Sequence, residues 1–211
     1  AKPWLKVGAN VNYSHIDMNS MDNEGESAST GNIFAAANQI APIYPLYVRN
    51  GAGQIMTDAV GNTMYDYGNG MNAGLTRPIF GDSNAVGDAI LNKYNSEGNV
   101  LMGNVFAEIR FLKNFKFTSN NSMNLQEVRG TQVLNPYYGQ YADQNGIVYK
   151  SHTRNMDYTY QQLLNYTNTF AGKHNVDIMA GHEYYKTTSY YLNGTKSNLF
   201  DPSNDELNGA I

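Results

Sequence analysis

From Leu5 the chain alternates without a break: Leu5, Val7, Ala9, Val11 and Tyr13 fall on one side of an extended backbone, and Lys6, Gly8, Asn10, Asn12 and Ser14 on the other. Period two is the mark of a strand with one apolar and one polar face. The rhythm returns at 104–112, where Val105, Ala107, Ile109 and Phe111 oppose Asn104, Glu108 and Arg110, with Phe106 as the exception. Leu112-Lys113-Asn114 predicts a tight turn, and Phe115 and Phe117 open a return strand through Ser119, Asn121, Met123 and Leu125. A second hairpin is sharper. Tyr158, Tyr160, Leu164, Tyr166 and Phe170 share a face, and Ala171-Gly172-Lys173 turns the chain. Val176, Ile178, Ala180 and Tyr184 then resume the apolar side, against Thr159, Gln161, Asn165, Thr167, Asn175, Asp177 and Glu183.

The pattern predicts five strands, at about 4–15, 102–112, 115–126, 157–170 and 174–192, running alternately up and down. Two connections are about three residues long, whereas 16–100 and 127–156 are long stretches rich in Gly, Asn, Asp and Tyr. Compact soluble domains rarely carry such loops. Within the first, 32–40 (NIFAAANQI) predicts a short helix, with Ser29 and Thr30 as cap candidates and Pro42 as its stop. Residues 42–47 should then be extended, because each Pro turns its predecessor away from helix. Asn50-Gly51, Gly61-Asn62 and 66–70 are turn signals. No internal repeat stands out.

Composition narrows the class. The 211 residues carry Lys+Arg 14 against Asp+Glu 18, a net charge of −4, which argues against a nucleic-acid partner. Charged residues make up only 15% and mean hydropathy is −0.51, so neutral polar residues fill the difference: 29 Asn beside 20 Gly and 17 Tyr. That is turn and strand chemistry. With no Cys there is neither a disulfide framework nor a thiolate zinc site. No apolar run approaches the 18 or so residues of a spanning helix, but a barrel strand needs only about 9–11 alternating ones. Short turns at one end and long loops at the other are the layout of an outer-membrane barrel. Five strands cannot close one, so the sheet needs the rest of its wall. The chain enters a strand pattern at its first residues, without a leader, and stops at Ile211 in a loop-like stretch; it reads as a mature or excised piece.

Several segments, taken in order, carry a resemblance: KVGANVNYS (6–14), APIYPLYVRNG (41–51), YDYG (65–68), AEIRFLKNFKFTSN (107–120), LLNYTNTFAGKHNVDIMAGHEYYK (163–186) and SNLFDPSNDELNGAI (197–211). Together the chain resembles an internal barrel segment of the SusC/RagA family of TonB-dependent outer-membrane transporters. The resemblance implies an all-β, antiparallel transmembrane β-barrel segment: about five strands of a roughly 22-stranded barrel, with long extracellular loops, a short loop helix and no plug domain. It implies import of glycans or peptides with a SusD-like surface lipoprotein, energised by TonB through a plug region outside the chain. Its location would be the bacterial outer membrane, with membrane lipid against the apolar face. No cofactor is implied.

Candidate chemistry is sparse. His15, His152, His174 and His182 show no metal-ligand spacing, and the clusters at 22–25, 66–70 and 143–146 lack the full calcium-loop pattern, so turn formation accounts for them. No nucleophile elbow, phosphate loop or dinucleotide fingerprint is present, and an enzyme is not expected. The ligand-binding candidates are loop aromatics and a neighbouring cation: Tyr44, Tyr47, Arg49, Tyr65, Tyr67, Phe80, Tyr137, Tyr138 and Tyr141. Such rings beside polar groups suit sugars or peptides; the alternative is that they pack the loops onto one another. Lys6, Asn10, Asn12, Glu108, Arg110, Gln161, Asn165, Asp177 and Glu183 should share the wet, lumen-facing side. Tyr13, Tyr158 and Tyr184 would serve an interfacial girdle near strand ends. A competing reading is a secreted β-rich glycan-binding or adhesin module, in which the apolar faces would pack on a second sheet.

Overall fold

A computed structural model describes residues 2–21, 32–59 and 61–211. The cap candidates Ser29 and Thr30 and the cluster at 22–25 lie outside these residues. Five strands form one antiparallel sheet in chain order: β1 (Leu5–Ser20), β2 (Lys93–Phe111), β3 (Phe115–Leu134), β4 (Ile147–Phe170) and β5 (His174–Ser197). The fold is all-β, as the alternation predicts. Both tight turns fall at the expected places, with Leu112 and Lys113 (φ 47° and 60°) in one and Ala171 and Gly172 (φ 51° and 67°) in the other.

Strand lengths differ from the expectation. β1 continues to Ser20, β2 begins at Lys93, β3 runs to Leu134, β4 begins at Ile147 and β5 ends at Ser197. The stretches left between strands therefore shrink to 21–92 and 135–146. Apolar alternation marks only the part of a strand with a greasy face; the backbone ladder needs none. In the continuation the side chains pair with one another instead. Asn95 donates to Asp17 (2.7 Å) and Asn19 (2.9 Å), and Lys150 donates to Thr131 (3.1 Å).

The chain divides into two compact units. The first comprises residues 1–16, 97–128 and 152–192 and consists of paired strands. Register between β4 and β5 is constant: Asn155 meets Ser189, Asp157 meets Thr187, Gln161 meets Glu183 and Gln162 meets His182. One face is therefore mainly apolar and the other mainly polar, with Gln162 and His182 paired on the apolar side (3.3 Å) and Ser119 and Asn121 also on that side. Phe106, the exception in the pattern, lies on the polar face, where Lys6 Nζ stands 5.6 Å from its ring centre. Gly8 makes the room, since a Cβ there would run into that ring.

The second unit comprises 17–96, 129–151 and 193–211. Its hub is a repeat that the sequence reading missed. Val48, Met56 and Met64 stand eight residues apart and close a ring of three backbone bonds: Val48 N to Met64 O (3.0 Å), Met56 N to Val48 O (2.9 Å) and Met64 N to Met56 O (3.0 Å). The bridges Tyr47–Tyr65, Arg49–Ile55 and Thr57–Thr63 flank it on three sides. Each corner starts from an Asx residue, again eight apart. Asn50 accepts from the Gln54 amide (2.9 Å), Asp58 from the Asn62 amide (2.8 Å) and Asp66 from the Gly68 amide (2.8 Å). Gly53 and Gly61 supply the left-handed φ of the first two corners (77° and 95°). The repeat is carried by turn chemistry and one small apolar position, which leaves little identity to see.

Two short helices flank the hub and pack on each other, α1 (Ile33–Gln39) and α2 (Ala85–Leu91). Asn32 caps α1 by accepting from the Ala35 amide (2.8 Å). Residues 41–44 are not extended but close a turn, Tyr44 N to Ala41 O (3.0 Å), because Pro42 suits the second position of a β-turn. Asn84 is 1% exposed and ties α2 to the hub. Its carbonyl accepts from Val86 and Gly87 (3.1 and 2.9 Å), and its amide donates to Leu46 O (2.7 Å) and Asp66 O (2.9 Å). At the other side of this unit, Leu199 and Ala210 close a small core with Val133 and Val148. Lys93 binds Asp205, and Lys150 reaches Asp205 (3.7 Å) and Glu206 (2.8 Å).

Two outcomes follow. Asn84→Ala removes a helix cap and the side-chain donor to the buried Asp66 carbonyl, while the Leu46 carbonyl keeps the Asp66 amide (3.0 Å), so local opening measured by hydrogen exchange at Val86 and Gly87 should become easier by about 1–3 kcal/mol. The Lys93 hydrogen bond holds the Asp205 carboxyl below its ordinary range, against a smaller opposing push from burial. A depressed folded value means this anchorage is fully present above about pH 4. It is lost as pH falls through the lower folded value. Amide exchange at Leu199 and Phe200, corrected for its intrinsic pH dependence, should accelerate in that acid range and not between pH 5 and 8.

Candidate functional site

The polar face of the strand unit is a ladder of amides, hydroxyls and carboxylates, with Lys6 and Arg110 as cations on it. Asn120 donates to Gln161 (3.2 Å), Gln161 to Glu183 (2.9 Å) and Asn124 to Asp157 (3.4 Å), while Tyr185 also reaches Asp157 (3.4 Å). Arg110 pairs with Glu108 (3.0 Å) along one strand. Asn10, Asn12, Asn104, Ser122, Asn124 and Asp157 line a shallow groove of about 440 Å³ on this face. The alternation places Lys6, Asn10, Asn12, Glu108, Arg110, Gln161, Asn165, Asp177 and Glu183 together on it. Asp157, Asn120 and Asn124 were not among the candidates; the same period-two count would have found them.

A different kind of site lies in the second unit. Tyr65 and Tyr138 meet edge to face (6.0 Å between ring centres, 80°), and Tyr67 stacks flat on Tyr138 (5.2 Å, 4°). Tyr47 adds a fourth ring, 5.5 Å from Tyr65. Beside this cluster runs a groove of about 330 Å³ lined by Asp58, Tyr65, Ile90, Leu91, Tyr137 and Tyr138, with Asn62 and Thr63. The hub positions Asp58, Asn62 and Tyr65, and α2 supplies Ile90 and Leu91. Tyr138 also lines a small cavity of about 30 Å³, together with Asp82, Asp88, Asn92 and Tyr141 among others. Burial raises the Tyr138 hydroxyl above its ordinary value, and the Asp58 carboxylate adds to the shift. That phenol stays protonated near neutral pH.

The loop candidates therefore separate. Tyr65, Tyr137 and Tyr138 share the groove, and Tyr137 is 56% exposed. Tyr67 does not join them as a ligand surface: it is 3% exposed, Tyr138 covers its ring, and its hydroxyl donates to Asp88 (3.0 Å). Burial first, then the Asp88 charge, drives its pKa far up. Its place is packing, because a ring sandwiched in the loop body has no face left to offer. Tyr44 sits in the 41–44 turn, Arg49 donates to Gly53 O (2.7 Å), and Tyr141 lines the small cavity. Phe80, at φ 52°, offers its carbonyl to the buried Arg77 (3.0 Å). Arg77 also donates to Ser83 O, and burial lowers its pKa although Asp66 opposes this. Of the groove, Asp58, Asn62, Ile90 and Leu91 were missed. Asp58 was legible only through the eight-residue spacing.

Among solved structures the chain is similar over 100% of its length to three states or preparations of one assembly. For the "RagAB peptide importer in the 'open-open' state" the identity is 19% and the TM-score 0.65, over 21% of that chain. For the "RagAB peptide transporter" the values are 18%, 0.62 and 22%. For the importer in the "'closed-closed' state" they are 18%, 0.60 and 22%. The likeness is one of fold. The chain spans about a fifth of the length of those chains. No protein-family model matches it, and no curated protein does.

The separation of Tyr67 from Tyr137 is measurable. Tyr67→Phe loses a buried hydrogen bond to a carboxylate and should lower the local stability of the loop unit by about 1.5–3 kcal/mol. Tyr137→Phe should leave it within about 0.5 kcal/mol.

Proposed function

We propose that the chain is a section of the wall of an outer-membrane, SusC/RagA-like, TonB-dependent importer. It would take up peptides or glycans, work with a SusD-like surface lipoprotein, and carry out no catalysis itself. The observation that bears most of this reading is the bare apolar face. Val7, Val11, Val105 and Ile178 are 66%, 69%, 55% and 59% exposed, on four different positions along three strands of one sheet. Among the described residues nothing covers them. Each such side chain left in water forgoes roughly 1.5–3 kcal/mol, so an apolar medium or surface belongs there. In a soluble sandwich a second sheet would do this.

Dimensions favour hydrocarbon. On β4 the apolar side runs from Tyr158 to Phe170, interrupted by Gln162, which pairs with His182 (3.3 Å), and by Asn168, which donates to the Tyr166 hydroxyl (3.0 Å). At about 3.4 Å per residue and a tilt near 40° this gives a band roughly 30 Å tall, close to a bilayer core. Where the band ends, the same face turns polar on β1 to β4. His15 and Tyr13 bind Asn99 (2.9 and 2.7 Å), and Glu127 binds His152 (2.6 Å). Tyr13, Tyr158 and Tyr184 lie along this edge within their strands rather than at strand ends, because the strands continue beyond it. The likeness to importer chains supports the same reading. A peptide substrate is favoured over a glycan only because those structures are of a peptide importer.

The test is topographic. In the full-length protein in lipid bilayers, a nitroxide at Ile178→Cys should collide more with dissolved oxygen than with a water-soluble nickel chelate. One at Asp177→Cys should show the reverse. Equal aqueous access at both positions, or protection of Ile178 by protein in detergent-free buffer, would defeat the proposal.

A further inference from the structure

We infer that the groove between Tyr65, Tyr137 and Tyr138 is a recognition site for a basic peptide side chain, with Asp58 as its counter-charge. The inference deepens the import reading by giving this loop site a ligand class, and it can fail separately. Three features carry it. The groove holds about 330 Å³, the lower end of small-ligand pockets and enough for an extended side chain with its flanking backbone. Its walls combine tyrosine rings with Ile90 and Leu91, which suit the methylene stem and the face of a cation. Its only charged lining residue is the Asp58 carboxylate, and no Lys or Arg lines it among the described residues.

The wider field has the same sign. Asp82 and Asp88 line the small cavity that shares Tyr138, with no Lys or Arg in its lining among the described residues. A neutral sugar could also stack on these rings, but it would gain nothing from the concentration of carboxylates. An acidic ligand would be repelled. The raised pKa of Tyr138 agrees with this, since the phenol remains a neutral hydrogen-bond donor and leaves the carboxylate as the charged partner.

The repeat supplies a clean variant. Asn50 occupies the position equivalent to Asp58, and its carbonyl accepts from Gln54 as Asp58 accepts from Asn62. Asp58→Asn should therefore keep the corner's backbone bond and delete the charge, with the Asn62 side-chain amide, which now donates to Asp58 (3.1 Å), turning to accept as Gln54 does from Asn50 (3.0 Å). The probes are Gly-Arg-Gly, Gly-norleucine-Gly, Gly-Glu-Gly and maltotriose, titrated calorimetrically into the full-length protein in detergent. Gly-Arg-Gly is expected to bind at least tenfold tighter than Gly-norleucine-Gly, and Gly-Glu-Gly weakest of the peptides. Asp58→Asn should reduce the arginine preference to under threefold. Tyr137→Ala should weaken both of the tighter peptides several-fold. The inference is overturned if Asp58→Asn leaves the preference unchanged, if no arginine preference exists, or if maltotriose binds as tightly as Gly-Arg-Gly. Uptake measured in cells separates the two proposals: arginine-selective binding without any import would remove the import reading and leave the site standing. Import that ignores the basic residue in both wild type and Asp58→Asn, with no selective binding, would remove the site alone.

Discussion

The sheet depends on register above all. Side chains alternate with period two, so a slip of one residue between β4 and β5 would carry Val176, Ile178 and Ala180 to the polar side and bring Asp177 and Glu183 to the apolar one. Pairings such as Asp157 with Thr187 and Gln161 with Glu183 resist that slip, because any shift leaves carboxylates and amides opposite apolar groups. The tight turn at Ala171 and Gly172 sets the starting point, and the polar ladder then maintains the count. Two chemically distinct surfaces can thus be made from one layer with no second layer behind it. Any reading in which one face meets hydrocarbon and the other water rests on this count.

Beyond the apolar band the same backbone ladder continues with more polar side chains, apart from the core at Val133 and Val148, and the two units divide the work differently. The strand unit satisfies its backbone through pairing. The loop unit, with little regular structure, must satisfy an irregular backbone locally. It does so with side-chain amides and short carboxylates: Asn32 and Asn84 cap helices, Asn50, Asp58 and Asp66 close the corners of the hub, and Asn135 accepts from the Tyr137 and Tyr138 amides (3.0 and 2.9 Å). That last pair of bonds orients Tyr137 and Tyr138, the groove's outer rings, from behind. Position and exposure of the candidate surface are thus consequences of capping.

How much of this was legible depended on which force shaped each part. The five strands and both turns could be read because burial preference writes a period of two into the sequence. The outer halves of the strands could not, since residues such as Asp17, Asn19 and Asn95 pair through hydrogen bonds that leave no hydropathy pattern. The helix α2 escaped for a related reason: it is seven residues long, and its strongest signal is the single cap at Asn84. Tyrosines were ambiguous in principle. Tyr67 and Tyr137 sit in similar local sequences rich in Gly, Asn and Asp, and only the fold decides that one ring is enclosed by Tyr138 while the other stays open. The hub was hidden because its repeat consists of an Asx residue and a turn every eight positions, with Val48, Met56 and Met64 interchangeable in size rather than identical.

The unusual composition now has a physical account. A loop body of this length needs many hydrogen-bonding side chains at special backbone positions, and Asn serves there without bringing charge. Filling those positions with Asp throughout would stack like charges around the hub, and filling them with Lys or Arg would neutralise the field near the tyrosines. Of the three hub corners one is a neutral amide, Asn50, and two are carboxylates, Asp58 and Asp66. Asp58 is the one corner of the hub that both keeps its charge and faces a groove, whereas Asp66 is 3% exposed and turned toward Arg77. An Asn-rich scaffold therefore does more than shape the loop: it holds the Asp58 carboxylate beside the tyrosine rings by bonds from the Asn62 amide and side chain (2.8 and 3.1 Å), which are neutral donors that leave its charge in place.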